Sequence, residues 1–276
     1  MTMRKWAVVT GAGSGIGAAL SKKLVEKNYS VIGVGRRLKA LERTEQDIKQ
    51  LFFSDTRRGL FKKIAVDISD KNGRLEILRS IPRGDILSFL VHNAAVGDPS
   101  KVNCIDVDHF RYAMEVNVTA PLALTQLLFP QLKHESNEEG GRVLHLGTGV
   151  AHQLQIGTGT YGITKSAFFR LYQQLSLDYE GTNVYVASAR PGVVKTEGLL
   201  DHVVKANALR LPHSEFFNDL LHNNEIGKSG QMQVVDVVAE FLFCLLTKCP
   251  KEDFGTKEWS VNETTPWWIG SERAHL

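Results

Sequence analysis

The chain has 276 residues, of which 43% are hydrophobic and 23% charged, with a net charge of +3. These are ordinary globular values for an α/β protein, and its basic residues are spread along the chain, so a nucleic-acid surface is not expected. Three cysteines, Cys104, Cys244 and Cys249, are odd in number and lack metal-type spacing. A reduced, cytoplasmic setting without a metal site is the expectation. No apolar run reaches the roughly 20 residues of a membrane helix. The chain enters its first apolar run almost at once, so no signal peptide is expected.

In chain order, Trp6–Thr10 reads as a strand and Ile16 to Lys27 as a helix. Strands follow at Val31–Gly35, Phe61–Asp67 and Ile86–His92, with helices at Leu38–Phe53 and Asp70–Ile81 between them. The second half gives a long helix Phe110–Leu132, strand Arg142–Thr148, helix Ser166–Glu180 and strand Val184–Arg190. A helix at Val234–Leu246 and a last strand near Glu258–Val261 complete the set. Most strands are unbroken in hydrophobicity, as when helices cover both faces. Regular βα alternation therefore predicts one doubly wound, Rossmann-type α/β domain over residues 1–276, with seven parallel strands. Residues 197–230 break the alternation, mixing apolar pairs with His, Asn and charge. They form either a surface helix pair or a small helical lid. His202, His213 and His222 within them lack metal spacing and read as solvated polar surface.

Two motifs carry the chemistry. Thr10-Gly-Ala-Gly-Ser-Gly-Ile-Gly17 joins the first strand to the first helix, the context in which a glycine loop cradles phosphate. Its glycines at 11, 15 and 17 do not follow the ordinary G-x-G-x-x-G spacing. Far downstream, Tyr161 and Lys165 lie four apart, one turn from each other on a helix face. The pair and the loop resemble the short-chain dehydrogenase/reductase family in its compact form, over nearly the whole chain. The glycine spacing and the lack of a large C-terminal domain weigh against the extended, epimerase-like type.

The resemblance implies that Gly11, Ser14, Ile16 and Gly17 line a pyrophosphate cradle, and that Asp67 and Ile68 bond and flank the adenine. His92-Asn93-Ala94-Ala95 departs from the family's Asn-Asn-Ala-Gly but keeps Asn93 and Ala94 near the adenine ribose. Pro191-Gly192-Val-Val194-Lys-Thr196 matches the family's Pro-Gly-x-x-x-Thr, whose Val194 backbone and Thr196 hydroxyl hold the nicotinamide carboxamide. Cofactor choice is legible in the residues themselves. An acid at the end of the second strand bonds the NAD ribose, whereas a basic group there accommodates the 2′-phosphate of NADP. This chain reads Gly35-Arg36-Arg37, with no carboxylate until Glu42, so NADP(H) is expected. Arg36 is the stronger choice, with Arg37 either a second ligand or a solvated helix-start charge.

For catalysis the resemblance implies Tyr161 as proton donor, Lys165 as its electrostatic support and ribose ligand, and Asn117 as an organiser of a proton relay. Lowering the phenol from its usual ~10 by the neighbouring ammonium is the expected device. The family's Ser, thirteen residues before the Tyr, is Thr148 here. Threonine keeps the hydroxyl but adds a stiffening methyl. The implied activity is NADPH-dependent reduction of a small ketone or dicarbonyl. The lid and the 190–197 run are similar to the sepiapterin and benzil reductase branch, which points to a bulky vicinal dicarbonyl. The Thr148 exchange leaves a second reading, a catalytically weak dinucleotide-binding regulator. A homodimer or homotetramer is expected. On the Tyr161 helix, Ala167, Phe168, Leu171 and Leu175 form one apolar stripe, and Phe169 and Tyr172 start a second. Trp267-Trp268 either extends that contact or covers the substrate mouth.

Overall fold

The computed structural model describes residues 3–51, 59–133, 138–222 and 232–263. The first half runs β1 (Lys5–Thr10), α1 (Gly15–Glu26), β2 (Ser30–Gly35), α2 (Leu38–Leu51), β3 (Phe61–Ala65), α3 (Lys71–Ser80) and β4 (Ile86–His92). Then come α4 (Val107–Met114), one π-helical turn over Glu115–Thr119, α5 (Ala120–Leu132), β5 (Gly141–Leu146), α6 (Gly159–Asp178) and β6 (Val184–Arg190). The chain continues through β7 (Val193–Val194), α7 (Glu197–Ala208), α8 (His213–His222) and β8 (Met232–Gln233). It closes with α9 (Val235–Lys248), α10 (Lys251–Phe254) and β9 (Glu258–Ser260).

Seven strands form one sheet in the order β3-β2-β1-β4-β5-β6-β9, every pair parallel. Period-two alternation sends side chains to both faces, and both faces are buried along the central strands β1, β2, β4, β5 and β6, while the edge strand β3 is partly exposed. On β1, Ala7 and Val9 join the core under α1 and α9, while Trp6 and Val8 join the core on the α5 and α6 side. That double burial is why the strands read as continuous apolar runs. The crossover from β3 back to β4 makes β1 and β4 neighbours. It opens the crevice at their carboxyl ends where such sheets take ligands.

Most expected elements fall within a few residues of their reading, and the departures are local. β3 stops at Ala65 rather than Asp67, because the Asp67 carboxylate turns back to accept from the Ser69 amide and hydroxyl at 2.9 and 2.7 Å. β5 spans Gly141–Leu146 and releases Gly147 and Thr148 to the following turn. The helix read as Ser166–Glu180 begins earlier, at Gly159, so Tyr161 and Lys165 both lie on it.

The two-stripe reading of α6 is corrected. Tyr172 is four residues from Phe168 and shares its face, so both sit in the core, Tyr172 at 4% exposure. Phe169 is half-buried against the His152 and Tyr172 rings. The histidine reading is corrected as well. His213 is buried, with Nδ1 at 2.8 Å from the Ile156 carbonyl and Nε2 at 3.0 Å from His202 Nε2, because α7 and α8 pack on each other. Residues 52–53, the 223–230 end of the expected lid, the His222 side chain and Trp267-Trp268 lie outside the described residues. Among the described residues, no helix is long and apolar enough to cross a membrane, and no cluster of three metal-ligating side chains occurs.

Candidate active site

A groove lies over the carboxyl ends of β1, β2 and β4. Gly11, Gly13, Ser14, Gly15 and Ile16 form its floor, and Gly35, Arg36, Arg37, Asp67 and Ile68 one wall. Asn93, Ala94, Tyr112 and Thr196 complete it. Gly15 takes φ +53, a left-handed value that a side chain would strain. The start of α1 is left open. Ser14, its N-cap, makes no side-chain capping bond, and no acidic residue stands in the first turn. The N–H groups there lack acceptors, and the dipole end is positive, so the loop suits an anion. Gly17 lies behind the loop rather than in the groove, where any Cβ would collide with the Gly11 carbonyl and the Asn93 amide. Asn93 is a brace, its Nδ2 donating to the Thr10 carbonyl at 2.9 Å.

Two guanidinium groups stand over the groove, Arg36 at 56% and Arg37 at 65% side-chain exposure. Arg36 Nη1 donates to the Tyr112 hydroxyl, which in turn donates to Asp67 Oδ2 at 2.9 Å. Burial works to raise the Asp67 carboxyl. The Ser69 bonds, Tyr112 and Arg36 outweigh it and hold the group below the usual carboxylate range. Arg37 Nη2 reaches Ser14 Oγ at 3.4 Å and the Glu197 carboxylate at 3.7 Å. No acid shares the position of Gly35. Tyr112 carried no sequence signal, since it meets Asp67 across 45 residues of chain.

The second cluster lies at the ends of β4 and β5. Lys165 is buried at 3% exposure, and its Nζ donates to the Leu146 carbonyl at 2.8 Å. The ammonium stands 5.7 Å from the Tyr161 ring centroid. Gly97 lets the loop after β4 close on Tyr161, because a Cβ there would lie 3.0 Å from its side chain. Thr148 follows β5 with extended backbone, and its carbonyl accepts from the Ala151 amide. Asn117 sits in the π turn of residues 115–119, a break in the helical ladder of the kind that recurs at functional sites. Its Oδ1 accepts from Val96 N at 2.9 Å, and its Nδ2 donates to the Val96 carbonyl and to Thr164 Oγ1 at 2.7 and 2.9 Å. Asn117 thus ties the loop after β4 to α6, beside Lys165.

The expected lowering of the phenol is not found in the chain alone. Burial pushes Tyr161 up to about 12 and pulls Lys165 down to about 8, with Glu258 opposing the latter. In a buried site desolvation disfavours the charged form of each group. Of the carboxamide-binding residues of the sequence reading, Thr196 lines the groove beside Gly15, whereas Pro191, Gly192 and Val194 are not part of its lining. Pro191 and Val194 are buried, Gly192 turns at φ +73, and Thr196 caps α7 by accepting from Leu199 N at 3.2 Å.

Residues 5–204 match the family model described as short chain dehydrogenase. The chain belongs to the short-chain dehydrogenase/reductase family. It is 31% identical over 193 residues to the serine 3-dehydrogenase of Agrobacterium fabrum, covering 69% of this chain and 72% of that one. A probable NADP-dependent dehydrogenase of Haemophilus influenzae is 27% identical over 191 residues, 68% of this chain and 70% of its own. Among solved structures, YwfH, an NADPH-dependent reductase involved in bacilysin biosynthesis, shares the fold with a TM-score of 0.77 at 18% identity. That match covers 96% of this chain and 100% of the other. Membership of this family makes the chain an oxidoreductase of the CH–OH/C=O pair.

Proposed function

We propose that this short-chain dehydrogenase/reductase is an NADP(H)-dependent carbonyl reductase for a small ketone or dicarbonyl. The observation that carries the cofactor assignment is the pair Arg36 and Arg37 over a groove where Gly35 offers no carboxylate. A guanidinium matches a 2′-phosphate with several donors, and an acid would repel it. The Haemophilus relative, named as NADP-dependent, supports the same assignment. Gly11, Ser14 and Ile16 hold the pyrophosphate, Asp67, Ile68, Asn93 and Ala94 the adenosine side, and Pro191, Gly192, Val194 and Thr196 the nicotinamide side.

The bound cofactor supplies the hydride. Tyr161 donates the proton to the substrate oxygen, and the Thr148 hydroxyl donates a hydrogen bond to the same oxygen as its charge grows. Lys165 holds a positive charge beside the phenol, and Asn117 holds the β4 loop and α6 in register around it. The excursion carrying α7 and α8 acts as the substrate lid. Two ties support this: Lys205 Nζ to Asp98 at 2.7 Å, and His213 to the Ile156 carbonyl, which join it to the loop after β4 and to the loop before α6 that lead to Tyr161. For assembly we assign a homodimer or homotetramer, resting on exposed Val107 of α4 and exposed Ile163 and Leu177 of α6. The setting we assign is cytoplasmic.

Calorimetric titration should give NADPH at least about tenfold tighter binding than NADH, a difference of about 1.4 kcal/mol. NADPH oxidation with a panel of ketones, diketones and quinones should then find a substrate. Equal affinities would sink the cofactor assignment, and a panel without turnover the activity. A 30.7 kDa monomer by light scattering would overturn the assembly alone.

A further inference from the structure

Four strands place one side chain each in a single register row on the α6 side of the sheet: His92 on β4, His145 on β5, Ser188 on β6 and Glu258 on β9. The first three are buried, and the Glu258 side chain is 7% exposed. A carboxylate in such a place is costly unless it is paired and hydrogen-bonded. Glu258 is both. Ser188 Oγ donates to Oε1 at 2.8 Å, and Oε2 meets His152 Nε2 at 2.7 Å and Arg190 Nε at 3.0 Å. The seat depends on Gly147, where any Cβ would collide with Oε1. The carboxylate therefore touches the chain just before Thr148 and again at His152, bracketing the turn that carries the Thr148 hydroxyl. Lys165 Nζ donates to the carbonyl of Leu146, the other half of the same Leu146–Gly147 peptide. The ammonium and the carboxylate thus flank one peptide unit at the end of β5.

We propose that Glu258 is a positioning residue for the catalytic group, fixing the 147–152 turn and acting as the buried counter-charge of Lys165. This rests on the assignment of Thr148, Tyr161 and Lys165 to carbonyl reduction. The surrounding groups leave the role to Glu258. Burial lowers Lys165 to about 8, and Glu258 is the charge that opposes it. Of the other titratable groups near Lys165, Tyr161 on its own helix stays neutral, raised to about 12 by burial. His92 and His145, from β4 and β5, are kept neutral by burial first and by Lys165 in addition, His92 at about 3 and His145 well below the usual range. Around Glu258 itself stand Arg190 from β6, His152 from the turn and Tyr172 from α6. Removing the anion disfavours the charged form of Lys165, so its proton affinity must fall.

The test is Glu258→Gln, which keeps the shape and removes the charge. Lysine labelled with ¹³C at Cε reports the Lys165 titration without substrate, with the signal assigned by Lys165→Arg. The Lys165 midpoint should fall by about one pH unit, roughly a tenfold loss of proton affinity. In the NADPH-dependent assay, kcat should fall about tenfold with KM changed less than about threefold, and the alkaline limb should move to lower pH. A folded Glu258→Gln protein with an unmoved Lys165 midpoint overturns the proposal, whatever the assay gives. If the wild-type chain reduces no carbonyl, the activity assignment falls, while the NMR arm still decides the Glu258–Lys165 coupling. Should Glu258→Gln fail to fold, His152→Gln removes the turn's side of the clamp and leaves the charge. That variant should lose about threefold in kcat with the Lys165 midpoint unmoved, and unchanged kcat would overturn the clamp.

Discussion

The two halves of the sheet treat charge in opposite ways at their carboxyl ends. On the β1–β3 side the cations stand in water, with Arg36 and Arg37 more than half exposed and the first turn of α1 uncapped. On the β4–β6 side charge is kept from water or kept off altogether. Lys165 is buried, Tyr161 is driven neutral, and His92 and His145 beneath them stay uncharged. Exposed charges are cheap to keep and individually weak, because water screens them. Buried ones are costly to keep and strong in effect. On the proposed assignment, binding is thus spread over replaceable contacts, whereas chemistry is concentrated in a few side chains.

Substitutions test that contrast. Tyr161→Phe keeps the ring but removes the proton, so kcat should fall by about 10³ while the NADPH dissociation constant stays within about twofold. A variant retaining a tenth of the activity would remove Tyr161 from the proton step. Thr148→Val should lower kcat at least about tenfold, and Thr148→Ser should be tolerated. Full activity in the valine variant would make Thr148 a packing residue. On the exposed side the effects shrink. Arg36→Ala should weaken NADPH about fivefold without changing NADH, and Arg37→Ala less. A drop as deep as that of Tyr161→Phe would erase the contrast.

The mildest perturbation is pH. Lys165 is lowered from the ordinary lysine value to about 8, so its charge is present below that pH and lost above it. Tyr161, raised to about 12, keeps its proton throughout. Reduction at saturating NADPH should therefore be at half its plateau near pH 8 and decline beyond, with no loss there from the phenol. A profile flat to pH 10 would mean that the Lys165 charge does not support the step.

The strands were legible because double burial writes itself as apolar runs. β4 and β6 match their expected spans of Ile86–His92 and Val184–Arg190 residue for residue. The misread strand ends lie where residues leave the sheet to build the site, at Val66-Asp67 and Gly147-Thr148. Hydropathy cannot distinguish a strand's last residue from the first of a functional turn. The glycine loop and the Tyr161–Lys165 pair are local spacings and could be read directly. Tyr112 and Glu258 could not, since His152 meets Glu258 across 106 residues and Ser188 meets it across 70. Sheet register creates those meetings, and composition carries no trace of them. Tyr172 was misplaced for a different reason. Tyr172 stands four residues after Phe168 and so shares its buried face, leaving Phe169 alone beside it.

The short parallel pair of β7 and β8 sets Val193 beside Met232 and Val194 beside Gln233. These two strands form a ladder of their own apart from the main sheet, so the chain departs after β6 and comes back to the same point before α9 with both ends fastened to each other. For a segment held in this way, doubling the length costs only about 0.6 kcal/mol in closure entropy. On the reading of α7 and α8 as a lid, the described residues 197–222 could then be exchanged while Thr196 keeps its place in the groove. If the proposed lid role holds, a relative's segment grafted beyond Thr196 should change which carbonyl compounds are admitted, leaving Thr148, Tyr161 and Lys165 where they are.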